Sequence, residues 1–427
     1  MRESPVMIAR LKRWGNVSAV NVPELKSALR YVFFVYSEFA LGALLTLYFI
    51  NTASASILAE SSITFIVISY SVFLAFGFHN GVTRDGAIAA TLEQRNEILR
   101  LELLFSSGVA LALLGAVLVF NPNFYLMAGM MIGAVNHLKA ACQAVFRLNG
   151  ENNRLNLLNV SCAALFFLLF ALSQGFAWPI PLERAFFLTW LTATTLVVAV
   201  FYVVCGKNVG LFSRRPYDRN LFFKILSASK FMFVMAVGGV VLLTSDRVIL
   251  NLHQAEETVI ANFQYIDTLS NIYFLGLSAV LYYFTPNLLR RYTSAGAVSA
   301  AHFLHSMKLI LFVLSGVFLL FLVCASVFIF VLGRFEWMMF ELLFSMLLMK
   351  TAMIMLGTLC SFYLANNGEK RLAGYYIVIT SISLLATYLW VGFFSTTQAI
   401  VFLPLSNGAL IVVMFSILLI RIKAIKT

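Results

Sequence analysis

The feature that most constrains this chain is the recurrence of apolar runs about 20 residues long, twelve of them from end to end. A helix needs about 20 residues to cross a hydrocarbon core of ~30 Å, whereas a barrel strand needs only about 10. The runs fall at roughly 31–50, 62–80, 102–120, 124–146, 156–173, 186–205, 231–252, 259–285, 309–332, 338–365, 373–394 and 399–420. In lipid, every backbone polar group must find its partner within the protein, and a helix achieves this by itself. Composition leaves little alternative: 61% of the 427 residues are hydrophobic and 11% charged, against about 25% charged in soluble domains. The expected fold is an all-α integral membrane protein of about twelve transmembrane helices.

Orientation follows from the 30 Lys and Arg residues. With the N-terminus placed inside, 25 fall in the terminal segments and inner loops, and only Arg184 and Arg334 fall in outer loops. Cytoplasmic loops are enriched in Lys and Arg, so both termini are expected in the cytoplasm. The net charge of +12 is then a consequence of topology and calls for no nucleic-acid partner. The segment before the first run lacks the apolar stretch and cleavage site of a signal peptide. Its Met7, Ile8, Leu11 and Trp14, beside Arg10, Lys12 and Arg13, form the pattern of a short helix lying on the membrane surface.

Catalytic and metal chemistry find little support. The five cysteines (Cys142, Cys162, Cys205, Cys324, Cys360) lie in or beside apolar runs without CxxC spacing, and the five histidines show no ligand spacing. No nucleophile elbow or phosphate-binding glycine loop is present. The outer loops are too short to carry a catalytic domain. The chain is expected not to be an enzyme and to need no cofactor beyond a coupling H⁺ or Na⁺.

A weak internal repeat divides the runs six and six. Ser27-Ala28-Leu29-Arg30-Tyr31-Val32-Phe33 precedes the first run and Ser227-Ala228-Ser229-Lys230-Phe231-Met232-Phe233 the seventh; the same offset pairs Asn51 with Asn251. Asn149-Gly150-Glu151 follows the fourth run and Asn367-Gly368-Glu369 the tenth. The expected organisation is an N-terminal segment 1–30, an N-lobe 31–205, a basic linker 206–230, a C-lobe 231–420 and a tail 421–427. Six runs per half make the repeat parallel, an arrangement of transporters that hold substrate near the midplane.

A charge at the centre of a spanning helix costs about 2.5–3.5 kcal/mol on insertion scales and therefore faces a bundle interior or wet cavity. Asn136, Lys139 and Gln143 are spaced i, i+3, i+7 and share one helix face. Gln264, Asp267 and Asn271 repeat that spacing, as do Thr244, Arg247 and Asn251, with Asp246 adjacent. Glu38 lies in the first run and Lys350 in the tenth. Lys139, Arg247 and Lys350 form a ladder of cations suited to an anionic passenger, with Arg able to fork two phosphate oxygens. Asn136, Gln143, Gln264 and Asn271 are the candidate polar contacts. Asp246, Asp267 and Glu38 are the candidate ion-coupling groups; pairing of these acids with the bases is the competing structural reading.

Ser245-Asp246-Arg247-Val248-Ile249-Leu250, then Tyr265, then Pro286 within Tyr283-Phe284-Thr285-Pro286-Asn287-Leu288, resemble the Wzx-type lipid-linked oligosaccharide flippases of the multidrug/oligosaccharidyl-lipid/polysaccharide (MOP) superfamily. Gly77-Phe78 through Thr83-Arg84 and the paired Asn-Gly-Glu turns are similar to that family as well. The family's usual Gly two residues before the tyrosine is Phe263 here. The resemblance implies two pseudo-symmetric six-helix lobes, MOP/MATE-like, in a bacterial inner membrane. It implies as passenger an undecaprenyl-pyrophosphate-linked repeat unit of O-antigen or another surface glycan, moved to the periplasmic leaflet, with glycan polymerase and chain-length partners. Arg84, Tyr265 and Pro286 would be portal or gating residues. A multidrug cation antiporter of the same superfamily and a membrane polysaccharide polymerase or ligase are the competing readings.

Overall fold

The computed structural model describes residues 22–425, apart from 177–178, 214–215, 254, 294–295, 332–335, 367 and 395. The surface helix expected around Trp14 lies outside the described residues. Among them, regular structure is helical throughout: α1 (Val22–Thr52), α2 (Ala55–Ser71), a 3₁₀ turn (Val72–Ala75), α3 (Phe78–Ile88), α4 (Leu92–Phe120), α5 (Phe124–Leu148), α6 (Asn152–Gly175), α7 (Leu182–Asn208), α8 (Arg219–Leu252), α9 (Glu257–Thr293), α10 (Gly296–Val331), α11 (Trp337–Ala365), α12 (Glu369–Phe393) and α13 (Thr396–Ile425). Starts follow local chemistry. Thr91, Asn123 and Asp218 each accept the backbone N–H three residues on, satisfying one of the donors a helix start leaves bare.

Among the described residues nine helices are long and apolar enough to cross a membrane. With α1, α5 and α9 they account for the twelve expected runs, and α5 and α9 carry charged stripes. The second run departs from expectation. It is not one helix over 62–80 but α2, the 3₁₀ turn and α3, because Phe76 (φ 46°) and Gly77 (φ 71°) are both left-handed. Two such residues in succession end any right-handed helix, so α3 leaves in a new direction. The expected linker is also shorter than 206–230: α7 continues to Asn208 and α8 starts at Arg219. α8 and α9, of 34 and 37 residues, extend about 50–55 Å and overshoot a ~30 Å core.

Packing repeats between the halves. α1 lies on α6 as α8 lies on α12; α2 on α5 as α9 on α11; α4 on α5 as α10 on α11; α5 on α7 as α11 on α13; α6 on α7 as α12 on α13. The halves meet through α9 against α1 and α2, and through α3 against α8 and α9. Apolar side chains gather in two layers, each drawing on both halves. One contains Phe78, Leu99, Phe146, Leu242, Leu356 and Leu418, nearer the end rich in Lys and Arg, here the basic end. The other contains Phe49, Phe186, Ile249, Leu342 and Leu403.

Candidate functional site

α9 brings Gln264, Asp267 and Asn271 to one face, and all three line a cavity of about 550 Å³. α8 adds Thr244 and Arg247, α1 adds Glu38 and Thr46, and α5 adds Lys139. Phe65 of α2, Phe166 of α6 and Trp190 of α7 also line the cavity, together with aliphatic residues such as Ile68, Val240 and Leu243. The Phe166 and Trp190 rings are stacked at 6.0 Å. The cavity thus combines aromatic rings drawn mainly from the first half with polar groups supplied mainly by α8 and α9.

In the second half one carboxylate serves two cations. Arg247 Nη2 donates to Asp267 Oδ2, and Lys350 Nζ donates to Asp267 Oδ1 at 2.7 Å. Asn271 Nδ2 donates to Asp267 Oδ2 at 3.0 Å. Lys350 is further held by Ser270 Oγ at 2.6 Å, Asn271 Oδ1 at 2.9 Å and the Asp267 carbonyl at 3.2 Å. In the first half the arrangement is one to one: Lys139 Nζ donates to Glu38 Oε1 at 2.9 Å. That pair crosses the cavity, since α1 packs chiefly on α6 and α9 while α5 packs on α2, α4 and α7.

The expected ladder of three cavity cations is therefore corrected to two. Lys139 and Arg247 line the cavity; Lys350 is 1% exposed and sits behind Asp267, because its ammonium is the one that α9's oxygens enclose. Asp246 also lies behind the wall, 1% exposed. Its Oδ1 accepts the Arg247 backbone N–H at 2.9 Å, and its Oδ2 has no hydrogen-bond partner. No ion pair to Asp246 occurs among the described residues. The α5 stripe splits. Lys139 reaches the cavity, Gln143 instead donates to Asn159 Oδ1 of α6 at 2.8 Å, and half-buried Asn136 is outside the lining. Of the gating candidates, Arg84 pairs with Asp85 at 2.9 Å and, across the halves, with Glu369 of α12 at 3.1 Å. Tyr265 is buried in the layer away from the basic end. Pro286 lies within α9, with its side chain outside the described residues.

Sequence reasoning missed Ser270, Phe166, Trp190 and the close approach of Gly77 to α8. Ser270 is three residues after Asp267, but serine in a spanning helix ordinarily bonds its own backbone, as Ser270 also does. Phe166 and Trp190 carry no local mark in a chain that is 15% aromatic.

Comparison with solved structures places this architecture. The chain resembles an outward-facing multidrug resistance MATE family transporter of the MOP superfamily at 12% identity and TM-score 0.69, covering 94% of this chain and 96% of that one. It resembles the inward-facing form of such a transporter at 14% identity and TM-score 0.64, covering 94% and 98%. A MATE structure in complex with MaD3S aligns at 14% identity and TM-score 0.68, covering 94% and 96%. No protein-family model matches the chain, and no curated protein matches it. The fold is that of a MATE-like transporter, a multi-pass helical membrane bundle.

Proposed function

We propose that this protein is a flippase, moving an undecaprenyl-pyrophosphate-linked oligosaccharide repeat unit across a bacterial inner membrane by alternating access. One observation carries the reading. Arg247 and Gln264 both line the cavity, and the Arg247 Nε donor and the Gln264 Oε1 acceptor are buried with no hydrogen-bond partner. Each such group left without a partner costs about 1–3 kcal/mol. Turning these side chains toward the cavity would let a ligand bearing both anionic acceptors and hydroxyl donors, as a phosphorylated glycan does, offset both costs. The headgroup would take the polar groups of α8 and α9, with Lys139 and Arg247 as ligands of the pyrophosphate. The lipid tail is as apolar as the bilayer and need not leave it.

A coupling ion fits the same geometry. Lys139 cannot leave Glu38 for a substrate without exposing a lone carboxylate in a poorly solvated place. A proton or sodium ion on Glu38 removes that obstacle. Asp246 is the corresponding candidate of the second half, since Asp267 already holds both Arg247 and Lys350.

The aromatic rings of the cavity and the multidrug transporters among the structural neighbours favour a second reading, extrusion of lipophilic cations, which aromatic faces attract. The two readings part in a deletion strain complemented with variants. Arg247→Ala and Lys139→Ala are each expected to cut surface glycan at least tenfold and to leave drug sensitivity unchanged. Normal glycan with raised drug sensitivity would select the antiporter.

A further inference from the structure

We propose that Lys350 is a resident counter-ion: it keeps Asp267 charged and in place so that Arg247 can leave Asp267 for an anionic headgroup and later return. The inference rests on the flippase reading above and concerns how its site is loaded.

The two charge centres differ in stoichiometry, and the difference decides which cation is free to move. Among the described residues, Glu38 has one charged partner, Lys139. Asp267 has a donor other than Arg247 on each oxygen. Oδ1 receives Lys350 Nζ, and Oδ2 receives Asn271 Nδ2 in addition to Arg247. Withdrawing Arg247 therefore leaves Asp267 with a cation at 2.7 Å and an amide at 3.0 Å, a satisfied and neutralised carboxylate. Withdrawing Lys139 leaves Glu38 with no ion-pair partner among the described residues. Removing one member of a buried pair is costly mainly because the other charge is orphaned; of these two centres, the one at Asp267 avoids that.

The two cations on Asp267 are not equivalent. Lys350 has four oxygen contacts between 2.6 and 3.2 Å, all from α9, and is absent from the cavity lining. Arg247 lines the cavity, its contact to Asp267 uses one terminal nitrogen, and its Nε is without a partner. The lysine is the fixed ion and the arginine the exchangeable one. A guanidinium already in the cavity can turn its fork from one carboxylate oxygen to two phosphate oxygens, the geometry it prefers. Lys350 is thus a positioning residue that never touches the substrate.

The test uses the full chain in lipid nanodiscs and measures binding of farnesyl pyrophosphate, with farnesol as the tail-only control. Arg247→Ala and Lys350→Met are each expected to weaken pyrophosphate binding about tenfold or more, as truncation of a buried charge partner does. In Lys350→Met, Asp267 has Arg247 as its one cation and holds it. Asp267→Asn is expected to bind within about threefold of the parent or more tightly, because Arg247 is then free. The decisive variant is Asp267→Asn/Lys350→Met: with no carboxylate left at position 267 to compensate, Lys350 becomes dispensable and binding returns to within about threefold of the parent. A double variant as weak as Lys350→Met overturns the inference, since lysine would then act by packing or by direct contact. Should Lys350→Met not fold, the charge-neutral double variant still decides. Parent protein that binds farnesyl pyrophosphate no better than farnesol removes the flippase reading together with the inference. Parent binding that Arg247→Ala abolishes and the double variant does not recover overturns the inference alone.

Discussion

Replacing Gly77 by valine is expected to part the two halves at the basic end and to reduce transport to background. Gly77 sits at φ 71° directly after Phe76 at φ 46°, a left-handed conformation that costs an ordinary residue about 1–2 kcal/mol and a β-branched one more. Space is the second obstacle. A Cβ on Gly77 would lie 2.4 Å from the Phe233 backbone nitrogen and 2.6 Å from the Ser229 carbonyl oxygen, both on α8 of the other half. Backbone cannot swing aside as a side-chain tip can, so α3 must move off α8. Overpacking of this kind costs about 1–3 kcal/mol, and with the backbone term the total is about 3 kcal/mol or more. That is enough to shift a two-state equilibrium about a hundredfold. α3 also carries Arg84, whose ion pair with Glu369 spans the halves, and that contact should open with it. Thiol cross-linking between Arg84→Cys and Glu369→Cys in membranes reads the separation, with exposed Cys324 replaced by serine. Cross-linking should fall at least tenfold with Gly77→Val while the chain still accumulates. Gly81→Ala is the milder comparison, because its Cβ would meet the Ser229 hydroxyl at 2.1 Å, a group that can rotate. Unchanged cross-linking in Gly77→Val would show that α3 does not hold the halves together.

How far the sequence foretold this arrangement depends on whether the relevant physics is local. The stripe Gln264, Asp267 and Asn271 was legible because helix period alone puts those positions on one face, and all three line the cavity. The same spacing on α5 delivered only Lys139. The neighbouring helix α6 offers Asn159 to Gln143, and which helix lies beside which is a long-range fact. Lys350 stood out as a charge near mid-span, yet its place behind Asp267 depends on how α11 meets α9. The balance of three acids and three bases was visible in the sequence, whereas the two-to-one and one-to-one pairing that gives them different roles was not. Gly77 was noticed within a motif. The left-handed Phe76 beside it, which splits the second run, carries no signal of its own, since phenylalanine disfavours that conformation. Tertiary packing imposes it.

Glu38 and Lys139 should separate stability from transport. Their side chains are 14% and 17% exposed, so the pair is screened in part by the cavity, and losing one partner is expected to cost about 2–3 kcal/mol rather than the 3–5 of a fully buried pair. Lys139→Met strands a carboxylate and Glu38→Gln strands an ammonium. Each is expected to lower the melting temperature of the purified protein by a few degrees and to reduce surface glycan at least tenfold in a complemented deletion strain. In Glu38→Gln/Lys139→Met neither charge is left over, and stability should return to within about 1 kcal/mol of the parent, because a well-packed neutral pair can match a buried ionic one. Transport should not return: the cavity would have lost Lys139 as a ligand and Glu38 as the group that must be discharged before Lys139 can turn to the substrate. Melting temperatures that simply add in the double variant would mean that the two side chains do not act as a pair. Recovery of glycan along with stability would mean that the pair serves only to tie α1 to α5 across the cavity, and the burden of binding the headgroup would then fall on Arg247.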